Sequence, residues 1–348
     1  MKKIISILII AIIFGAGYYL LSRKTSLKTS IKNISSNESK DETPPINTDR
    51  MTIPYLRKLS FIDAKPLNIE IELGSKGSYS EFLTSYRSEG LKIYALLAVP
   101  NNTPPAKGFP AVILNHGYIP PKSYSTTERY QSFVNGLARK GFVVLKPDFR
   151  GHGQSEGEPS GAYFSSDYVI DILNAFEALR QYSSVNPDAI GMWGHSMSGN
   201  LTLRAMVVQP KIKAGAIWAG AVYSYKDFIK YGLSDASYHR NPRPSTSPHP
   251  TYGFIRQSSP DPEKVVTIFK NVAPINFLSE LKSPLQIHHG EADSVVSINY
   301  SKDLVAELEK HNNIYEFYTY SLGDHNLSRN SFSIAIERTA DFFAKYLK

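Results

Sequence analysis

The sequence contains no cysteine among its 348 residues. This absence excludes disulfide bonds, metal sites built from thiolates and catalysis by a cysteine nucleophile. The nine histidines are not spaced, relative to one another or to carboxylates, in a way that is typical of a metal-binding motif. We therefore predict a protein that uses neither a catalytic metal nor another cofactor.

Clustered positive charge is also missing from most of the chain. The formal net charge is +8, but residues 1–50 supply half of it, with eight Lys and Arg against four Asp and Glu. The remaining chain is only mildly basic and has no motif in which lysines and arginines cluster. Since nucleic-acid binding requires such a cluster, we predict no nucleic-acid partner.

The first residues differ in composition from the rest. The run from Ile4 to Leu21 has 18 uncharged, mainly apolar residues and follows Lys2 and Lys3. Its length suits a short membrane-spanning helix or a long signal segment. We favour an uncleaved membrane anchor for residues 1–21, because the run continues past the candidate cleavage site Gly15-Ala16-Gly17. Cleavage would instead leave a secreted protein.

A polar tether and one large domain follow this run. Residues 22–50 are rich in Ser, Lys, Asn and Thr, which is typical of a flexible tether. Residues 51–348 are long enough to bury the core of one large domain. We expect this domain to be exported and held at the membrane, although the lysines and arginines that flank the run are too evenly divided to decide its orientation.

From about Lys65 the hydrophobic pattern is that of alternating strands and helices. Three strand-like segments come first, the last two joined by the turn Ser88-Glu89-Gly90. Short apolar strands then alternate with amphipathic helices, which predicts an α/β fold with a mostly parallel central sheet covered by helices on both faces. Residues 223–277 interrupt this alternation and are rich in Tyr, His and Pro. We interpret them as a small cap insertion, and the alternative is a solvated surface loop.

One predicted strand-to-helix turn carries a serine. The apolar strand that ends in Met192-Trp193 leads into Gly194-His195-Ser196, and a helical pattern begins at Asn200. A nucleophilic serine at such a turn needs small neighbours, because its backbone is strained and other segments pass close to it. Ser198 stands where this motif has its second glycine. The alternative is an ordinary turn of glycine and serine.

Serine catalysis needs a histidine that takes the hydroxyl proton and a carboxylate that orients this histidine. Asp293 follows a later predicted strand, and His325 lies between the last strand and the final helix. A parallel sheet would bring both to the same edge as Ser196, so we predict a catalytic triad of Ser196, Asp293 and His325. The alternatives are a turn-forming Asp293, with Glu291 or Asp324 as the acid, and a loop role for His325.

An acyl-transfer site also needs two hydrogen-bond donors for the developing oxyanion. The turn itself supplies the backbone amide of Met197. We predict the second donor at Tyr118, through its amide and optionally its hydroxyl, because Gly117 allows the backbone to come close. An ordinary aromatic residue under the cap is the alternative for Tyr118. For His288 and His289 we expect packing or hydrogen-bonding roles.

Four segments of the sequence extend this pattern, in the order ILNHGY, KPDFRGHGQSEG, GMWGHSMSGN and HHGEADSVV. In this order and spacing they resemble the catalytic domain of the prolyl oligopeptidase family of serine peptidases, with its dipeptidyl aminopeptidase-like and acylaminoacyl-peptidase-like relatives. The resemblance covers about Leu83 to Lys348. It implies the α/β-hydrolase fold, a structural role for the turn from Asp148 to Gly153, and the site residues Ser196, Asp293, His325, Tyr118 and Met197.

The resemblance implies a serine peptidase that acts on small peptides or amides. The stretch before the hydrolase body is too short for the β-propeller of larger family members, and the paired glutamates that bind a free amino terminus are not identifiable. The peptide specificity of those members therefore does not transfer. A carboxylesterase or acyltransferase that acts on small esters is the alternative enzyme, and a non-catalytic binding module displayed at the membrane is the alternative from another class.

Overall fold

Strands and helices alternate along most of the chain, and the strands form one sheet. The computed structural model describes residues 48–61, 65–163, 165–222, 224 and 270–347. Within these ranges the sheet has nine strands. They are β1 Asn68–Ser75, β2 Tyr79–Ser88, β3 Leu91–Pro100, β4 Phe109–Asn115, β5 Val143–Pro147, β6 Val185–His195, β7 Gly215–Trp218, β8 Leu285–Gly290 and β9 Tyr315–Tyr320.

The strand order divides the sheet into an antiparallel and a parallel part. Across the sheet the order is β1-β2-β3-β5-β4-β6-β7-β8-β9. The pairs β1 with β2, β2 with β3 and β3 with β5 are antiparallel. The remaining pairs are parallel: β5 with β4, β4 with β6, β6 with β7, β7 with β8 and β8 with β9. The predicted mostly parallel sheet with N-terminal antiparallel strands is confirmed. The carboxyl ends of β4, β6, β8 and β9 consequently lie along one edge.

Helices pack on both faces because the central strands are apolar on both sides. The main helices are α1 Ile53–Leu56, α2 Gln131–Ala138, α3 Asp167–Arg180, α4 Met197–Val208, α5 Asn299–Lys310 and α6 Asn330–Tyr346. Val112 and Leu114 of β4 belong to a core cluster with residues of α2 and α6. Ala111 and Ile113 alternate with them, are fully buried and face α3 and α4, which contact β4 from the other side.

The described chain begins with a segment that packs against α4. A 3-10 turn, Thr48–Met51, leads into α1, and the side chains of Met51, Ile53 and Leu56 are buried. Arg204 of α4 is fully buried and donates a hydrogen bond to the carbonyl of Met51. The segment is therefore part of the hydrophobic core.

Two predicted segments lie largely outside the described residues. Of the predicted cap, residues 223–277, the structure describes residue 224 and residues 270–277, where the 3-10 helix Pro274–Glu280 begins. The predicted anchor, residues 1–21, lies outside them, as does the predicted tether up to residue 47. Within the ranges that are described, no helix combines the length and the apolar character that a membrane crossing requires.

We expect Leu56→Ala to lower the free energy of unfolding by about 2 to 4 kcal/mol, because it leaves a cavity under a fully buried side chain. Urea unfolding checks this value. Lys58→Ala is the matched control, since Lys58 is exposed and such changes usually lie within about 0.5 kcal/mol. Equal stability of the two variants would show that the segment before β1 does not contribute to the core.

Candidate active site

Ser196 lies at a sharp turn between β6 and α4. Its backbone has φ 54° and ψ −121°, a strained conformation for a residue with a side chain. Gly194 makes the turn feasible, because a Cβ at this position would lie 2.3 Å from the carbonyl oxygen of Ser198 and from Oγ1 of Thr202. The Ser196 amide donates to the carbonyl of Trp218 at 3.0 Å, which holds the turn against β7.

Ser198 makes a hydrogen bond that a glycine at this position of the motif could not make. The Ser198 side chain is fully buried, and its hydroxyl donates to the backbone carbonyl of His116. His116 belongs to the loop after β4, which we call the oxyanion loop, residues 116–120. The small hydroxymethyl group therefore fits the turn, as the sequence predicts, and it also joins α4 to the oxyanion loop.

The structure brings Ser196, His325 and Asp293 together from three separate strand ends. Nε2 of His325 lies 2.9 Å from Oγ of Ser196. Nδ1 of His325 lies 2.8 Å from Oδ2 of Asp293. An ionised carboxylate only accepts hydrogen bonds, so Nδ1 of His325 donates to Asp293, and in a neutral ring Nε2 then accepts from the serine hydroxyl.

Asp293 also forms the turn that the sequence allowed as its alternative role. Its Oδ1 accepts hydrogen bonds from the amides of Val295 and Val296, at 2.8 and 2.9 Å. Its Oδ2 faces His325, so one carboxylate serves both purposes. Burial alone would raise the pKa of Asp293, but hydrogen bonds from His289, His325 and Val296 outweigh burial and hold the pKa well below its usual range. Asp293 is therefore ionised at neutral pH.

His289 is a second histidine beside this carboxylate. Its Nε2 lies 3.2 Å from Oδ2 of Asp293 and 3.0 Å from the carbonyl of Val296. Both of these atoms are acceptors, so Nε2 carries a proton, while Nδ1 lies 2.7 Å from Oγ of Ser301. The expected hydrogen-bonding role of His289 is confirmed, but its partner Asp293 was not identified from the sequence. The spacing of four residues between the two was the signal that could have suggested the contact.

The two rival carboxylates have other partners. Glu291 is exposed, and its Oε1 accepts from Oγ1 of Thr319 at 2.8 Å. Asp324 accepts from the amides of Asn326 and Ser328, at 3.1 and 2.8 Å, which stabilises the loop of His325. Asp293 is thus the carboxylate that the structure places on Nδ1 of His325.

The predicted oxyanion donors belong to two segments that adjoin Ser196, the start of α4 and the oxyanion loop. Met197 is the first residue of α4, where a backbone amide has no acceptor within the helix. Tyr118 is half-buried and follows Gly117, which lies against the serine. A Cβ at Gly117 would lie 3.1 Å from Cβ of Ser196 and 2.6 Å from Oη of Tyr130. Glycine is therefore required for this approach. The roles of Met197 and Tyr118 as donors stay predictions.

The turn after β5 supports the region around the oxyanion loop. Nη2 of Arg150 donates to Asp171 of α3 at 2.7 Å, and Asp148 accepts from Oη of Tyr124 at 2.8 Å. Burial raises the pKa of Asp148 to about 6 and lowers that of Lys146 to about 8. Nζ of Lys146 lies 3.9 Å from Oδ1 of Asp148.

Among the described residues, no group of three His, Asp or Glu side chains is arranged to hold a metal ion.

We expect Asp293→Asn to lower the stability of the protein more at neutral pH than at low pH. The folded-state pKa of Asp293 lies below its unfolded value, so the stabilisation is present above an unfolded pKa of about 3.9 and is lost as the pH falls below it. Because hydrogen bonds to charged groups contribute about 1.5 to 3 kcal/mol, we expect a loss of about 2 kcal/mol at pH 7.

Thermal unfolding at pH 7 and pH 3 tests this expectation. Glu291→Gln serves as the control, because Glu291 is exposed. A stability difference between wild type and Asp293→Asn that stays constant, or grows towards pH 3, would contradict an ionised and hydrogen-bonded Asp293.

Two comparisons of sequence match part of the chain. A family model described as serine aminopeptidase, S33, matches residues 107–238. The human protein ABHD12B is 30% identical over 201 residues, which are 57% of this chain and 49% of that protein. The chain therefore matches about half the length of this curated relative.

Solved structures of peptidases and esterases share the fold. The acetyl xylan esterase from Paenibacillus sp. R4 has a TM-score of 0.62 at 16% identity, over 85% of this chain and 92% of that one. The acylaminoacyl peptidase of Pyrococcus horikoshii has a TM-score of 0.61 at 18% identity, over 78% of this chain and 42% of that one. With the strand order and the serine turn between β6 and α4, these likenesses show that the chain has the α/β-hydrolase fold.

Proposed function

We propose that the protein is a serine hydrolase that forms an acyl-enzyme on Ser196. The observation that carries this proposal is the position of His325, whose two ring nitrogens lie 2.9 Å from the Ser196 hydroxyl and 2.8 Å from the Asp293 carboxylate. This arrangement suits general-base activation of a serine that is otherwise a weak nucleophile. The strained backbone of Ser196 also presents its hydroxyl at the carboxyl edge of the sheet.

The proposed reaction proceeds in two halves. Nε2 of His325 takes the hydroxyl proton as Oγ of Ser196 attacks the substrate carbonyl, and the same nitrogen then protonates the leaving amine or alcohol. Asp293 keeps the proton of the imidazole on Nδ1 and stabilises the imidazolium that forms. The amides of Met197 and Tyr118 donate to the oxyanion. Water, activated in the same way, then releases the acyl group and restores the free serine.

The proposed substrates are small peptides or amides. The sequence motifs of the prolyl oligopeptidase family and the match to the serine aminopeptidase model over residues 107–238 support a peptidase. Carboxylesterase or acyltransferase activity on small esters is the second candidate, supported by the likeness to an acetyl xylan esterase, which covers 92% of that chain. Both activities use the same acyl-enzyme chemistry and differ in the leaving group.

We also propose that the apolar run from Ile4 to Leu21 anchors the protein in a membrane, with residues 51–348 on the exported side. The length of the run and the polar tether that follows it support this proposal. A secreted protein results if the run is removed as a signal segment. Fractionation of cells that express the full chain, followed by detection in membrane and medium, distinguishes the two.

Wild-type protein should be labelled by a fluorophosphonate probe, with the adduct on the peptide that contains Ser196. We expect Ser196→Ala to abolish labelling and to lower hydrolysis of p-nitrophenyl acetate by at least about 1000-fold. Peptide mass spectrometry locates the adduct. Ser80→Ala is the control, because it removes a serine hydroxyl in β2 that donates to Asn101 at 2.8 Å, and it should retain the label on Ser196.

Folded wild-type protein that is not labelled would rule out the proposed function and leave the non-catalytic binding module. An adduct on any other residue would rule out Ser196 as the nucleophile.

A peptidase should hydrolyse aminoacyl p-nitroanilides as well as the p-nitrophenyl ester of the same acyl group, with a measurable ratio of the two kcat/KM values and loss of both activities in Ser196→Ala. Such a peptidase must protonate a poor amine leaving group, and His325 is placed for this step. Paired amide and ester panels measure the ratio. Hydrolysis of the ester without any Ser196-dependent hydrolysis of the amide would favour the carboxylesterase.

A further inference from the structure

A chain of three hydrogen bonds links the oxyanion loop to the loop of His325. The amide of Gly117 donates to Oη of Tyr130 at 2.8 Å. Oη of Tyr130 lies 2.6 Å from Nδ1 of His195. Nε2 of His195 lies 2.9 Å from the backbone carbonyl of His325. The chain passes beside Ser196, since His195 is the residue before it in the turn.

The direction of each bond follows from the groups at the two ends. The carbonyl of His325 can only accept, so Nε2 of His195 carries the proton and Nδ1 has a lone pair. Tyr130 therefore donates its hydroxyl proton to Nδ1 of His195 and accepts from the Gly117 amide. Burial lowers the pKa of His195 to about 3, which keeps the ring neutral and in this one tautomer at neutral pH.

Tyr130 is held in an unfavourable backbone conformation at this point. It has φ 61° and ψ 18°, in the left-handed region, directly before the first residue of α2. A non-glycine residue is uncommon there and persists only where surrounding contacts require it. The Tyr130 ring packs against Phe133 and Trp193, with ring centroids 5.1 and 6.2 Å away. These contacts aim the hydroxyl between Gly117 and His195.

We propose that Tyr130 and His195 together are positioning residues for the acyl-transfer reaction, and this inference rests on the proposed function. The hydroxyl of Tyr130 fixes the peptide of Gly117, and hence the adjoining amide of Tyr118, relative to Ser196. His195 fixes the backbone of His325, whose ring takes the serine proton. One chain of bonds thereby sets the distances among the nucleophile, the base and an oxyanion donor.

The effect should appear in the chemical step. Displacement of a catalytic group by about 1 Å can cost about 100-fold in rate, and Gly117 loses its acceptor if the hydroxyl is removed. We expect Tyr130→Phe to lower kcat for p-nitrophenyl acetate about 10- to 100-fold, with KM changed less than about 3-fold. The rate of fluorophosphonate labelling should fall by a similar factor, because the phosphoryl oxygen uses the same donors.

Tyr86→Phe is the matched control for this change. Tyr86 is buried, and its hydroxyl donates to the backbone carbonyl of Asp171 at 3.0 Å, in α3. Both substitutions remove one buried hydroxyl, so both should lower the melting temperature to a similar extent. The control should keep its kcat within about 2-fold of wild type, because its hydrogen bond is to α3 and not to the triad loops. Equal losses of kcat in the two variants would overturn a positioning role.

Substitutions of His195 test the second half of the chain. Gln at this position can still donate an amide proton to the carbonyl of His325 and offer its oxygen to Tyr130, whereas Phe can do neither. We expect His195→Gln to retain more of kcat than His195→Phe. Since Tyr130 and His195 share one hydrogen bond, adding Tyr130→Phe to His195→Phe should lower kcat by less than the product of the two single effects. Fully multiplicative effects would overturn a single chain.

The outcomes separate this inference from the proposed function. Wild-type protein that reacts with the phosphonate, together with an equally reactive Tyr130→Phe, overturns the inference alone. Wild-type protein that fails to react overturns both. Imidazole ¹⁵N resonances give a readout independent of turnover: His195 should be neutral and protonated at Nε2 near pH 7 in wild type. Protonation at Nδ1 would overturn the direction of the chain.

Discussion

The strained turn at Ser196 is the constraint on which the rest of the site depends. A backbone with φ 54° at a serine costs about 1 to 3 kcal/mol and must be held by its surroundings. The parallel pairs of β6 with β4 and β7 provide the frame, and Gly194 allows α4 to pass close to the turn. The turn places the proposed nucleophile at the edge of the sheet where the loops that carry Asp293 and His325 follow β8 and β9.

The oxyanion loop is held to this turn from two sides. Ser198 of α4 donates to the carbonyl of His116, and Tyr130 accepts from the amide of Gly117. Asp293 is likewise held by its own loop and by two histidines. The groups that we propose for the chemistry are therefore positioned by side chains that do not react, which is what a site preorganised for charge development requires.

Most of the fold could be predicted from the sequence, as could the proximity of Ser196, Asp293 and His325. Both follow from the periodicity of the hydrophobic residues and from the order of the motifs along the chain. The apolar strands and the serine turn are local patterns, and parallel strands bring Asp293 and His325 to the same edge as Ser196. Tyr130 and the contact between His289 and Asp293 could not be predicted in this way. Tyr130 meets His195 across 65 positions of sequence, and its left-handed backbone has no signal in a tyrosine. Such contacts depend on side-chain packing.

The central claim is that Ser196, His325 and Asp293 act together with amides on both sides of the serine. A crystal structure of the protein after reaction with a fluorophosphonate tests it most directly. We predict a phosphorus bonded to Oγ of Ser196, a phosphoryl oxygen within about 3.1 Å of the amides of Met197 and Tyr118, and His325 still hydrogen-bonded to Asp293. An adduct on another residue, or a phosphoryl oxygen directed away from both amides, would contradict the claim.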